Sequence, residues 1–329
     1  MNQKKYKWLQ RLPHILVVVV VLGVIAILLS KVLSFLDGDV IDGSIFDNDT
    51  GEIIYENADY ILPLMITEDM VIEDDGELTV LCLGNQPFFD EQSSDTGVCN
   101  MVAELTDATV LNCSFPNSTI SSNQETFDAK AYTWDAFSFY WIATALCQDN
   151  MEIYDQVNEA IPELDERIAD TIETLKSVDM NKVDMLAVMY DGYDYLLARR
   201  VNSDENPESI TTYLGAFHSA IDMFQETYPH IRIIVMSPTY CFGVGSQGEL
   251  ISSDIHSYGN EFLSTFSIKL SEAAYQQSVS FVDNLYGTIH EDIAPDYLID
   301  HLHLNEEGRK LVAKRLADAI NKYPTPIVQ

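Results

Sequence analysis

Positive charge is what this 329-residue chain has least of. Eighteen Lys and Arg stand against 52 Asp and Glu, a formal net charge of −34 at pH 7. Five of those basic residues, Lys4, Lys5, Lys7, Arg11 and Lys31, fall within the first 36 positions, where there is no acid at all, so the rest is more acidic still. Such a body is repelled by nucleic acid and by anionic lipid, which excludes both as partners of the part beyond residue 36. Cysteine is scarce and scattered. Cys82, Cys99, Cys113, Cys147 and Cys241 form no Cys-x-x-Cys pair, and their odd number and wide spacing do not describe a disulfide-stapled miniprotein. Cys82 and Cys113 lie in apolar runs and read as small buried hydrophobes. The sequence also lacks internal repeats, low-complexity tracts and a glycine-rich phosphate loop, which removes solenoid and nucleotide-binding readings.

There is one long apolar run, from Pro13 to Leu36, interrupted only by polar residues at its ends. A helix of that length crosses roughly 30 Å of hydrocarbon at about 1.5 Å per residue, with Lys31 snorkelling near the far end. The run exceeds a secretory h-region and no small-x-small cleavage site follows it, so it predicts a retained anchor. Basic residues concentrated before it predict a cytoplasmic tail at 1–12 and an extracytoplasmic body in a single-pass plasma-membrane protein. Residues 37–77 are acidic and broken by Gly and Asn, and read as a stalk or lead segment carrying an apolar patch at Tyr60 to Met65.

Beyond the stalk the pattern becomes regular. Thr79 to Leu83, Ala108 to Cys113, Val183 to Tyr190, Ile231 to Met236 and Val279 to Asp283 are short consecutive apolar runs, the pattern of strands buried on both faces. Helical periods lie between them: Val98, Met101, Val102 and Leu105; Ile161, Leu164, Ile168, Ile172 and Leu175; Leu214, Phe217, Ile221 and Phe224. The segment Trp134 to Cys147 is apolar nearly all round and predicts a buried helix or a lid-like insertion. Strands alternating with helices imply crossover connections, a parallel sheet and one α/β domain over 78–322, followed by a short tail at 323–329. Ligands of such sheets sit beyond the carboxyl ends of the strands, so chemistry is sought there.

Those ends carry Leu83-Gly-Asn-Gln-Pro, Asn112-Cys-Ser-Phe-Pro-Asn-Ser118, Tyr190-Asp-Gly-Tyr-Asp-Tyr195 and, before the last helical period, Asp300-His-Leu-His-Leu-Asn-Glu-Glu-Gly308. In order and position these blocks resemble the SGNH (GDSL-like) hydrolase family. The last is the most specific, with Asp300, His303, Asn305 and Gly308 matching the family's Asp-x-x-His, Asn and Gly. The resemblance implies a three-layer α/β/α, flavodoxin-like fold and a serine esterase or acyltransferase site with no cofactor. His303 would be the base and Asp300 its orienter. Asn305 also reads as an N-cap, with Glu306 and Glu307 favourable in a first turn.

The other blocks depart from the family. Gly84-Asn85-Gln86 stands where Gly-Asp-Ser is expected, and an amide is no acyl-accepting nucleophile. Asn117 stands near the oxyanion-hole glycine of the second block; Asn tolerates left-handed backbone. Gly192 and Asp194 are offered to the third block, where an ionised Asp194 would repel an oxyanion. A relocated nucleophile would have to come from Ser114, Ser93, Ser94, Cys82 or Cys113. A third expectation, a metal site built from His301, His303, His290, Glu291, Asp292 and Asp300, is disfavoured because His301 and His303 point to opposite sides of an extended segment.

Aromatics cluster at Phe88, Phe89, at 132–141 and at Tyr190, Tyr193 and Tyr195, a composition that suits sugar rings as well as a core. Two readings follow. The first is an esterase or acyltransferase acting on ester groups of a cell-surface glycan, with an acyl-donor protein in the same membrane as an implied partner. The second is a domain of the same fold that has lost hydrolysis and binds a glycan or protein.

Overall fold

The computed structural model describes residues 58–66 and 76–328. The expected anchor at 13–36 and most of the stalk lie outside the described residues. Among the described residues no helix is long and apolar enough to cross a membrane.

Chain order gives strands β1 (Met65–Ile66), β2 (Thr79–Gly84), β3 (Thr109–Asn112), β4 (Met185–Met189), β5 (Arg232–Met236), β6 (Gly243–Val244), β7 (Leu250–Ile251), β8 (Ser280–Val282) and β9 (Ile327–Val328). The main sheet has the order β3-β2-β4-β5-β8, and every pairing in it is parallel. The five apolar runs expected to be strands are these five. β2, β4 and β5 are buried along their whole length, as consecutive apolar residues require when helices cover both faces.

The helices are α1 (Gln86–Phe89), α2 (Val98–Thr106), α3 (Phe139–Cys147), α4 (Glu152–Ala160), α5 (Glu166–Ser177), α6 (Tyr193–Leu196), α7 (Tyr213–Thr227), α8 (Leu263–Gln276), α9 (Ala294–Tyr297) and α10 (Glu306–Lys322). α2 packs on α10, while α3 and α8 pack on α7. The order is that of a flavodoxin-like sheet, whose direction reverses between β2 and β4, and the crevice expected at such a switch point opens past Gly84 and Met189.

Two helical readings need correction. The period from Ile161 to Leu175 is not one helix: α4 ends at Ala160 and α5 starts at Glu166. Pro162 interrupts the backbone hydrogen-bond ladder, and Asp165 begins a new helix by accepting the Arg167 N–H. The segment from Trp134 to Cys147 is likewise broken. A 3-10 turn at Thr133–Phe137 stops at Ser138, whose extended backbone caps α3. Phe137 and Phe139 are buried but Trp134 is 42% exposed.

Residues 58–66 dock on the sheet. Tyr60 bridges Phe281 in antiparallel fashion, and β1 pairs with β9. Buried Arg232 clamps this segment to the last helix: Nε donates to the Leu62 carbonyl at 2.9 Å, Nη2 to Ala319 at 2.9 Å and Nη1 to Tyr323 at 2.8 Å. A cation among the last carbonyls of α10 is also favoured by the helix dipole. Because the segment runs antiparallel to β8, Ala58 lies at the carboxyl end of the sheet, its N–H donating to Asp283.

Candidate active site

The His303 loop is built from its own backbone outward. Asn305 caps α10, its Oδ1 accepting the Gly308 N–H at 2.9 Å, while its Nδ2 donates to the Asp296 carbonyl. Gly308 is required by close approach: a Cβ there would meet the Tyr297 carbonyl oxygen at 2.5 Å. The Ile299 N–H donates to the His303 carbonyl, closing the loop into a tight turn.

Inside that turn Asp300 is used three times. Its Oδ1 accepts the Leu302 and His303 N–H groups, both at 2.8 Å, and its Oδ2 is 2.7 Å from His303 Nδ1. That bond places the proton on Nδ1 and leaves Nε2 as the acceptor, the state a general base needs. Burial raises the Asp300 carboxyl, but the two N–H groups and the imidazole outweigh it and hold the acid below its ordinary range. Burial lowers His303, yet the Asp300 bond and charge, with Asp90 and Asp191 beyond, outweigh it and raise the imidazole. His301 Nδ1 lies 3.8 Å from Asp300 Oδ1, and no metal-binding group of His, Cys, Asp and Glu occurs among the described residues.

The opposite wall is made by the ends of β2, β3 and β4. Gly84 lies so close to the Met189 carbonyl that any side chain there would overlap it. Asn85 is fully buried: its Nδ2 donates to Asp191 Oδ1 at 2.7 Å and to the Ser118 carbonyl at 2.9 Å, and its Oδ1 accepts the Asp191 N–H at 2.8 Å. Gln86, at the first position of α1, is 4% exposed; Nε2 donates to Asn117 Oδ1 at 3.0 Å, and Oε1 has no partner. Asn117 has a left-handed backbone, φ 55°, as a position matching a glycine requires.

The structure joins Gln86 to Asn117 and His303 to Asp300, but Asp194 is drawn off. Its carboxylate accepts the Ile120 N–H at 2.8 Å, the Ser121 N–H at 3.3 Å and the Ser121 hydroxyl at 2.5 Å, fixing the loop after β3. Gly192 caps α6 beside it. The acid nearest Asn85 is Asp191, which sequence reasoning missed. It is buried, its Oδ2 has no partner, and burial pushes its carboxyl up to about 7 against the opposing Asn85 and Tyr193 hydrogen bonds. Its only sequence signal was its place as the first polar residue after β4. Asp90, which ends α1, was missed too; burial raises it while His303 and Arg309 pull the other way.

None of the relocated nucleophiles reaches the base. Ser114 is fully buried and donates to Asn112 Oδ1 at 2.6 Å, and Asn112 is itself tied to the Phe88 carbonyl. Ser93 is exposed in the turn between α1 and α2, and Ser94 pairs with Thr96. All five cysteines are free thiols; Cys82 and Cys113 are buried within the sheet region, and burial raises Cys113 strongly, which disfavours a thiolate. Among the described residues no Ser, Thr or Cys hydrogen-bonds the His303 ring.

No family model and no curated protein matches this sequence. Solved structures do. A crystal structure superposes with a TM-score of 0.54 at 16% identity, over 76% of this chain and 99% of its own. Another, from Lactobacillus plantarum, gives 0.50 at 14% identity, over 77% of this chain and 99% of its own. A third, described as a possible lipase from Chitinophaga pinensis, gives 0.49 at 14%, over 75% and 98%. At such identities the likeness concerns the fold, a parallel α/β sheet in the order β3-β2-β4-β5-β8, so what the site does has to be argued from its residues.

Proposed function

We propose that this is an SGNH-like domain that has kept the acid–base half of a hydrolytic site and lost its nucleophile, and that it binds a cell-surface glycan or a protein partner instead of cleaving an ester. One observation carries this reading. The position that matches the nucleophile holds a buried glutamine whose amide is bound to Asn117, and among the described residues no hydroxyl or thiol hydrogen-bonds the His303 ring. The apolar run at 13–36 would anchor the domain in the plasma membrane with its body outside.

One observation favours the esterase or acyltransferase reading: the Asp300–His303 pair retains the hydrogen bond that orients a working base. A fluorophosphonate probe applied to the full-length chain separates the two. The binding reading expects no labelled residue in a folded protein. Labelling of one serine that is lost in His303→Ala would overturn it and identify an esterase with a moved nucleophile.

A further inference from the structure

A second cavity adjoins the site without being part of its chemistry. It is an open pocket of about 650 Å³, set between the loop after β3, the 3-10 turn at Thr133–Phe137 and α6. That volume is in the range of small-molecule sites. Asn117, which holds Gln86, also lines it, so the pocket begins where the nucleophile position ends.

The pocket wall is apolar on one side and polar on the other. Trp134 is 42% exposed, and its ring is braced edge-on against buried Phe137, with centroids 5.3 Å apart. An indole that is exposed yet fixed is a flat platform in search of a ligand, and its negative π-face suits the weakly positive C–H groups of a sugar ring. Tyr193 and Leu197 extend the apolar side.

The polar side is a hydrogen-bonded relay. Buried Asp135 accepts from the Asn123 N–H at 2.9 Å and from Asn123 Nδ2 at 2.5 Å, and Asn123 Oδ1 in turn accepts from Arg199 Nη2 at 2.7 Å. Arg199 Nε is buried without a partner. The relay holds the guanidinium still at the pocket wall, where its other N–H groups are donors for hydroxyl or carbonyl oxygens. The charge of the body bears on the choice of ligand. It is strongly acidic, and one Arg199 at the pocket wall does not offset it, so an anionic ligand would be repelled on approach.

We infer that this pocket binds an uncharged saccharide, with a pyranose ring on Trp134 and its hydroxyl or acetyl oxygens on Arg199 and Asn117. The inference deepens the reading of the domain as a binding module and rests on it. Binding in the crevice at His303 itself would leave Trp134 without a role.

The test is calorimetric titration of the full-length chain with neutral hexasaccharides of β-1,4-linked glucose, xylose and N-acetylglucosamine, beside a hexamer of galacturonic acid. At least one neutral probe is expected to bind. Trp134→Ala should weaken it about tenfold or more, whereas Trp134→Phe should keep most of the affinity, which separates loss of the platform from loss of fold. The inference is overturned if no neutral hexasaccharide binds at concentrations up to about 10 mM, if Trp134→Ala binds as tightly as the wild type, or if the galacturonate hexamer binds as well as the neutral probes. Hydrolysis of p-nitrophenyl acetate by the wild type, lost in His303→Ala, would instead overturn the binding-module reading and leave the Trp134 result standing.

Discussion

The two walls of the crevice follow different rules. The Asp300–His303 wall is local: every group that orients the imidazole lies within the turn from Asp296 to Gly308, and the pair sits on the surface with Asp300 side-chain exposure of 45%. The Gln86 wall is long-range and dry. Asn85 reaches Asp191 across 106 positions, Gln86 reaches Asn117 across 31, and both Gln86 Oε1 and Asp191 Oδ2 are buried without partners. On the binding reading, an oriented acid–base pair faces a wall that holds a glutamine where the hydrolase pattern has its nucleophile. The half with satisfied hydrogen bonds is the half that resembles a hydrolase.

The largest expected effect comes from changing the Gln86 wall. Gln86→Ser places a hydroxyl where the block pattern has its nucleophile, while the base opposite is already prepared. The expected outcome is fluorophosphonate labelling at position 86 and ester hydrolysis at least about a hundredfold above the wild type, the scale of general-base assistance. Both should vanish when His303→Ala is added. A folded Gln86→Ser protein that is neither labelled nor active would show that the two walls are too far apart for chemistry, and that the difference between them is more than one residue.

The unequal legibility of the walls follows from the same contrast. The strands could be read from sequence because burial on both faces demands consecutive apolar residues, as in β2 and β4. Asp300 and His303 could be read because three residues of spacing suffice to join them. Asp191 could not, since what makes it unusual is burial against Asn85 from a distant block. Arg232 hid in an apolar run for the same reason: its partners Leu62, Ala319 and Tyr323 are remote in sequence. Pro162 was visible, but the helical period on either side of it masked the break.

Asp191 gives the next effect. Its folded carboxyl is raised to about 7, so between the unfolded value near 4 and pH 7 the folded state binds more protons, and stability falls as pH rises through that window. Asp191→Asn keeps an acceptor for Asn85 and removes the ionisable group. It should therefore be more stable than the wild type above pH 7, by on the order of 3 kcal/mol, with little difference at pH 4. Denaturant melts at pH 4, 6 and 8 measure it. A wild type whose stability does not decline over that range would mean that Asp191 is not buried in the way described.

On the other wall a single cap is expected to matter modestly. Asn305→Ala removes the acceptor for the Gly308 N–H and the donor to Asp296, and should lower stability by about 1 kcal/mol. If the wall is as local as it looks, that loss leaves the Gln86 side untouched. In the Gln86→Ser background it would reduce activity without abolishing it.

The smallest change is the finest test of whether the His303 wall still works as a base. Asp300 raises the imidazole through its bond and charge against the lowering effect of burial, so Asp300→Asn should let the His303 pKa fall, a shift followed by the imidazole proton resonances through a pH titration. The sign for stability is fixed by the same linkage. A histidine raised in the folded state stabilises it below its unfolded value near 6.5, and that contribution disappears as pH rises through the folded value; the depressed Asp300 contributes above its unfolded value near 4 and is lost as pH falls through its folded one. The pair therefore stabilises the fold most between those limits, and Asp300→Asn should cost stability chiefly there, near pH 5. An unchanged His303 titration in Asp300→Asn would mean that Asp90 and Asp191, across the crevice, set the imidazole instead. The two walls would then be one electrostatic unit, and the contrast between a local half and a long-range half would fail.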